Sequence, residues 1–415
     1  MRRLFTALSL VLLLALTTPY STLRLSPVGL QSAAYRFNLL TWEVSHIPTK
    51  WLQWLAWVGS PYSDTPEQRL EAVETYFDLV READTIRDQR ASPADLNNDN
   101  NDDTLDTGTA DLDRDLALIK QRIRRLRPRI EEVLEAAVSD VLRQENIPLN
   151  LGNFLFPPVD FALDRLPAML IISPRDRIER LESVLLVGDI TPQASDELEN
   201  NILQQEDMSA LVGRIGGIST YPSIIASSNL RGSLRLIGHE WLHQYLFFQP
   251  LGRGYGRSGN MASLNETAAN IFGEELGDLV FAQLTGEKVP DPPGDDDEAL
   301  PCPDDRFCFQ DEMRQTRLRV DELLEQGDIA QAEAYMEEYR LVFVDNGHNI
   351  RKLNQAYFAF HGTYADSPAS VSPIHQQLTD LRQASGSLGD FIHTVATFSI
   401  YDDLLTILDQ LPEDA

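Results

Sequence analysis

From residue 114 to residue 146, apolar side chains return every three or four positions: Leu116, Ile119, Ile123, Ile130, Val133, Leu134, Val138 and Val141. That period predicts an amphipathic helix with one buried face. Residues 64–89 carry a shorter, more acidic version, with Leu70, Val73, Tyr76, Phe77 and Val80 on one side. Between the two helices the pattern lapses. Residues 94–113 hold seven aspartates and no basic residue, which predicts a solvated acidic linker. After residue 150 the character changes. Residues 169–172, 183–187 and 210–215 are short apolar or β-branched runs bounded by Pro, Gly or Asp, and residues 219–226 follow in the same style. They predict strands. Pro222 suits an edge strand, where its missing N–H costs no ladder bond, so the run near 218–225 is expected at the sheet edge. From residue 311 onward nearly everything reads as helix. Residues 318–326 and 329–344 form a hairpin around Gly327-Asp328, and further helices cover 349–361, 373–384, 387–398 and 401–410. The expected class is α+β, predominantly helical.

One helical run carries chemistry. Residues 236–246 read Leu-Ile-Gly-His-Glu-Trp-Leu-His-Gln-Tyr-Leu, with Pro250 to stop the helix soon afterwards. His239 and His243 are four residues apart and therefore share a helix face. Both can present a ring nitrogen to one Zn²⁺ at about 2.0–2.1 Å. Glu240 lies about 100° round the helix, within reach of a water at such an ion. This H-E-x-x-H spacing supplies two ligands and a general base for hydrolysis. The plainer alternative is a buried helix whose histidines are merely hydrogen-bonded. A catalytic zinc needs a third protein ligand, and Glu266 follows in a helical stretch after a Gly-rich segment, residues 252–260, that reads as a flexible loop. Ser263-x-x-Glu266 is also a capping box, which would make Glu266 a helix-start residue instead.

His239-Glu240-x-x-His243 followed by Asn265-Glu266-x-x-Ala269-Asn270-x-x-Gly273 resembles the gluzincin group of zinc metallopeptidases, which includes thermolysin and the membrane-type aminopeptidases. The resemblance rests on residues 239–273. It implies His239, His243 and Glu266 as zinc ligands and Glu240 as base and proton shuttle. It also implies a zincin-like catalytic core, with a small sheet over the H-E-x-x-H helix and its edge strand lining the cleft. Thermolysin-like enzymes carry an Asp that hydrogen-bonds a ligand His where this chain has Asn270. An Asn carbonyl can accept that hydrogen bond but brings no negative charge. Gluzincins steady the oxyanion with a His or Tyr from a later helix. Asn354, Tyr357 and His361 share a helical face here and Tyr364 follows. Tyr364 is the preferred candidate, with His361 and Tyr357 behind it and packing or capping as the ordinary explanation of each. An aminopeptidase would need acidic side chains for the substrate amine, and Glu274 or Glu275 could serve. His46, His348, His375 and His393 have no partner spacing and read as structural or surface residues.

Composition narrows the classes. The 415 residues carry 64 acidic against 35 basic side chains, a net charge of −29, which excludes a phosphate-reading, nucleic-acid-binding surface. Asp95-x-Asn97-x-Asp99 begins like a calcium loop but has Asn100 at the glycine position and Asp106 at the last one. Cys302 and Cys308, the two cysteines, favour a local disulfide in an exported domain, with free thiols as the alternative. Arg2 and Arg3 precede thirteen uncharged residues, 4–16, the form of an export signal. No small-x-small site follows closely, Ser32-x-Ala34 being distant. This favours an uncleaved signal-anchor, with a removed signal peptide and secretion as the alternative. Trp51, Trp54 and Trp57 with Leu52 and Leu55 form an apolar helix that either rests on the bilayer or packs into the domain. The expected organisation is a signal peptide or signal-anchor (1–34) and an N-terminal helical region with the acidic linker (35–150). A zincin-like core (151–290), an acidic Pro-rich loop (291–310) and a C-terminal helical lobe (311–415) follow. The expected function is a zinc-dependent metallopeptidase acting on a peptide or protein. A restricted-substrate aminopeptidase and a non-catalytic, surface-anchored binding protein are the alternatives.

Overall fold

The computed structural model describes residues 26–59, 64–91, 102–147, 149–151, 154–226, 229–288 and 307–411. The N-terminal run 1–25, the calcium-like pattern at 95–99 and Cys302 lie outside the described residues, as do the side chains of Trp51, Trp54 and Trp57. The fold is α+β and predominantly helical. Among the described residues no helix is long and apolar enough to cross a membrane.

The short helix α1 (Pro27–Gln31) is capped by Ser26, whose hydroxyl accepts from Gly29 N at 2.9 Å. Then come α2 (Leu39–Gly59), α3 (Pro66–Ala91) and α4 (Asp102–Gln144). The last begins inside the stretch expected to be a linker, so at most 92–101 separates α3 from α4. Leu105 and Leu112 extend the apolar period of α4 backwards, and aspartates in a first turn suit the positive end of the helix dipole. Leu79 and Ala83 of α3 pack against Leu116 and Ile119 of α4.

Strands β1 (Leu149–Leu151) and β2 (Phe154–Phe156) form a hairpin. β3 (Phe161–Leu163), β4 (Ala168–Pro174) and β5 (Glu182–Leu186) precede helix α5 (Pro192–Glu206), and β6 (Met208–Arg214), β7 (Gly217–Ile218) and β8 (Ser223–Ile225) follow it. One antiparallel sheet has the order β5-β4-β6, with Leu170 opposite Val184 and Val212. Its central strand is buried throughout, which is why residues 169–172 lack polar alternation. Both outer strands are covered. Phe37 N and Tyr35 O bond to Leu185 and Val187 beside β5, while Glu199, Arg351 and Asn354 bond to Val212 and Ala210 of β6.

The second sheet has the order β3-β8-β7, with β3 parallel and β7 antiparallel to β8. The expectation of an edge strand near 218–225 is therefore corrected. β8 is central, β3 and β7 are the outer strands, and Pro222 sits in the turn between β7 and β8 after a cis peptide bond. The far side of β3 is held by carboxylates of α4: Leu163 N donates to Glu131 at 2.8 Å and Phe161 N to Glu135 at 3.1 Å. Lys50 of α2, itself buried, binds both of these carboxylates at 3.0 and 2.8 Å and lies 3.7 Å from Asp160.

Helices α6 (Leu230–Phe247), α7 (Pro250–Arg253) and α8 (Gly259–Thr285) carry the middle of the chain. The hairpin of α9 (Phe309–Glu325) and α10 (Ile329–Asp345) turns at Gly327, whose φ of +80° favours glycine. Its core, including Met313, Val320, Met336 and Phe343, is a separate cluster that also takes in Ile350, Leu353, Phe358 and Ala369. Cys308 precedes α9 and is disulfide-bonded; the chain has one other cysteine, Cys302. Helix α11 (Gln355–His361) is shorter than expected because Asn354 caps it. It packs on β4 and β6. α12 (Ile374–Ala384), α13 (Leu388–Val395) and α14 (Tyr401–Leu408) do not form one C-terminal lobe with α9 and α10. Leu378, Phe391, Ile392 and Leu404 join the main core with Tyr76, Leu134, Trp241 and Phe272. That core therefore unites α3, α4, α6 and α8 with the last three helices, and the expected N-terminal and C-terminal regions are parts of it.

Candidate metal centre

α6 starts where Asn229 caps it, accepting from Gly232 N at 2.7 Å. Its apolar side, with Ile237, Trp241 and Leu242, is buried. Trp241 Nε1 donates to Pro157 O at 3.0 Å, which satisfies the polar edge of an otherwise buried ring. α8 crosses α6 at very short range through small residues. A Cβ on Gly273 would lie 2.5 Å from Arg235 O and 2.9 Å from His239 N, and one on Gly277 would lie 2.6 Å from Arg235 N. Hydrogen atoms at these positions let the two backbones meet. Asp278 of α8 then binds both Arg231 and Arg235 of α6, at 2.7 and 3.0 Å.

This crossing sets Glu266 opposite the histidine pair. Its Oε2 is 3.6 Å from His239 Nε2 and 3.5 Å from His243 Nε2, and the two Nε2 atoms are 3.0 Å apart. The remaining oxygen, Oε1, accepts the Tyr255 hydroxyl at 2.6 Å. The capping-box alternative fails, because α8 begins at Gly259 with Ser258 as its cap and Glu266 lies two turns inside. Residues 252–260 are not a flexible loop either: they comprise the end of α7, a hydrogen-bonded turn and the start of α8.

The second ring nitrogen of His243 also has a partner, though not the expected one. Asn265 Oδ1 lies 2.7 Å from Nδ1. With the proton on Nδ1, the amide oxygen accepts it and leaves the Nε2 lone pair directed at the cluster. Asn270, expected in this part, donates instead to Asp366 at 2.9 and 3.1 Å. Burial opposes charge on both members of the cluster, yet attraction wins. Glu266 raises the His243 imidazole to about 9, and the histidines hold the Glu266 carboxyl well below its usual range.

Glu240 is buried, and burial raises its carboxyl above the ordinary value. Its side chain lies flat against β7: a Cβ on Gly217 would come 2.3 Å from Glu240 Oε1. Ser219 Oγ donates to Glu240 O at 3.0 Å, fastening the β7–β8 turn to α6. Tyr364 stands on another side, its ring centroid 6.5 Å from that of His239. The charge of Glu266, and then burial, hold its phenol well above the ordinary value.

No protein-family model, curated protein or solved structure matches this chain. The geometry itself sorts the remaining candidates. Asn354 caps α11 by accepting from Tyr357 N and donates to Ala210 O, each at 2.9 Å. Tyr357 and His361 pack together with ring centroids 4.3 Å apart, and burial lowers His361 to about 4. Glu275 forms a two-pronged pair with Arg382 at 2.6 and 2.7 Å, and Glu274 is exposed. His46 stacks on Trp42 at 4.0 Å, and His393 faces Ile147 O at 3.3 Å. Sequence reasoning missed Tyr255 and Gly217. An aromatic residue among glycines was the available sign for the first; nothing local marked the second.

Among the described residues, His239, His243 and Glu266 are the one group of three or more His, Cys, Asp or Glu side chains whose ligand atoms lie within 4.8 Å of one another. Zinc bonds of about 2.0–2.1 Å at tetrahedral angles place ligand atoms about 3.3 Å apart. The separations of 3.0, 3.5 and 3.6 Å bracket that value. Two imidazoles and one carboxylate also suit a divalent ion of intermediate softness.

Proposed function

We propose that this chain is a zinc-dependent metallopeptidase of the gluzincin kind, hydrolysing a peptide or protein substrate. The observation that carries the reading is the convergence of His239, His243 and Glu266 beside a buried Glu240 on the same helix. Zinc at such a site supplies Lewis acidity, polarising a carbonyl and making water acidic. The other steps belong to the chain. Glu240 takes the proton of the attacking water and delivers it to the leaving amine; its burial-raised carboxyl is a better proton acceptor than an exposed one. Tyr364 keeps its proton, because the nearby Glu266 charge disfavours phenolate, and so remains a hydrogen-bond donor for the developing oxyanion. Asn265 and Tyr255 fix the orientation of His243 and Glu266. The outer strand β7, pressed against Glu240, offers main-chain groups along which an extended peptide can lie.

The aminopeptidase alternative loses its candidates for the substrate amine, since Glu275 is committed to Arg382 and Glu274 faces solvent. A binding protein has no need of a base buried beside a ligand cluster. The basic, then apolar N-terminal run supports an extracytoplasmic location, membrane-anchored or secreted, and the acidic surface argues against nucleic acid as partner.

The test combines zinc content by mass spectrometry with peptide-library cleavage, for wild type, Glu266→Ala and Glu240→Gln. Wild type and Glu240→Gln should each hold one zinc, and Glu266→Ala should lose it. Cleavage by Glu240→Gln should fall by about 10²–10⁴-fold. Full activity in Glu240→Gln, or wild type that takes up no zinc, would end this reading.

A further inference from the structure

The β4–β5 hairpin carries three arginines. Arg175 pairs with Glu333 at 2.7 Å and with Asp207, and Arg177 pairs with Asp176 and Glu179 at 3.0 and 2.6 Å. Arg180 differs. It is half-buried, its Nε donates to Ser183 Oγ at 2.7 Å, and its Nη2 lies 3.2 Å from Met169 Sδ. Its guanidinium sits over the Phe360 ring, 5.9 Å from the centroid. Among the described residues no carboxylate pairs with it, in a chain with 64 acidic side chains. Phe360 in turn meets Tyr364 edge-on at 6.4 Å, and Tyr364 faces His239 at 6.5 Å. Arg180 is thus a cation oriented by an uncharged shelf of Ser183, Met169 and Phe360, one ring away from the proposed oxyanion donor.

A half-buried guanidinium held by neutral partners keeps donors in a planar fork that matches a carboxylate. With acidic residues so abundant, the lack of a carboxylate partner among the described residues points to one that arrives with the ligand. We propose that Arg180 is a specificity residue that holds a carboxylate of the bound peptide on the Tyr364 side of the site. The proposal rests on the peptidase reading for the nature of the ligand. Two sources share this chemistry, a free C-terminus and an acidic side chain.

The experiment measures binding to zinc-loaded Glu240→Gln protein by calorimetry, so that no turnover is required. The probes are acetyl-Ala-Phe-Leu as the free acid, its C-terminal amide, and acetyl-Ala-Phe-Glu amide. At least one carboxylate-bearing probe should bind about ten- to hundredfold more tightly than the neutral amide, as expected for a charge-assisted hydrogen bond. Tighter binding of the free acid identifies a C-terminal carboxylate, and tighter binding of the Glu amide identifies a side chain. Adding Arg180→Gln should erase the preference while leaving affinity for the neutral amide in place; Arg180→Lys should keep part of it. A merely structural Arg180 would instead weaken all three probes alike. Equal affinities in the Arg180 protein, no measurable binding of any probe, or a preference that survives Arg180→Gln overturns the proposal. Wild-type protein incubated with the same probes separates the two readings: carboxylate-selective binding without any cleavage removes the peptidase and leaves the Arg180 subsite standing.

Discussion

His243 must keep one nitrogen turned to Glu266 while its other nitrogen finds an acceptor, and Asn265 Oδ1 answers the second need at 2.7 Å. Replacing Asn265 by Ala should weaken zinc binding by about 10–100-fold, whereas Asn270→Ala, which releases only Asp366, should change it little. Competition with a fluorescent chelator distinguishes the two; equal losses would refute the assignment. On the proposed zinc reading, the same cluster links metal to protons. Without metal, His243 holds a proton up to about 9, and a ligand must shed it. Zinc affinity should therefore rise with pH, by up to about tenfold per pH unit below that value, and level off above it. Calorimetry in buffers of different ionisation enthalpy counts the released proton. The four residues of the cluster were legible because H-E-x-x-H is a local spacing and Glu266 follows on the next long helix. Tyr255, Gly217 and the acceptor role of Asn265 were not. Each depends on how one backbone passes another, and residue spacing carries no record of that.

At the scale of elements, the decisive contact is between α6 and α8. Gly273→Ala would place a methyl group 2.5 Å from Arg235 O and 2.9 Å from His239 N. The helices would have to separate, so stability should fall by about 1–3 kcal/mol and zinc affinity with it. Gly256→Ala, with nothing within 4 Å, should do neither. Urea unfolding followed beside zinc titration tests the pair of variants. Helices could be read from apolar periodicity and strands β4, β5 and β6 from short apolar runs, since both signals are local. The order of the small sheet could not. β8 is central because β3, some 60 residues earlier, lies along it, and Pro222, which looked like an edge residue, belongs to the turn. The acidic stretch misled for another reason: aspartates that resemble linker are equally at home in the first turns of a helix.

Across the whole molecule, Lys50 joins α2 to α4 and to the strand beside the central β8. It is 7% exposed and faces Glu131, Glu135 and Asp160. Lys50→Met should cost about 3–5 kcal/mol, because buried carboxylates would be left without their cation; a loss under about 1 kcal/mol by urea unfolding would show that water reaches them. Sequence divided the chain at composition changes, but the core ignores those boundaries. Val73 and Tyr76 meet Leu264, Phe272, Phe391 and Leu404 in one cluster. Helix α8 is also packed by α12, α13 and α14, helices from far along the chain. During synthesis, then, the helices that carry the His239, His243 and Glu266 cluster emerge from the ribosome long before the residues that seal them. Contacts of such high sequence separation form late and slowly. A nascent chain stalled just before Leu388 should be open to protease and hold zinc poorly, and release of the final helices should convert both properties together.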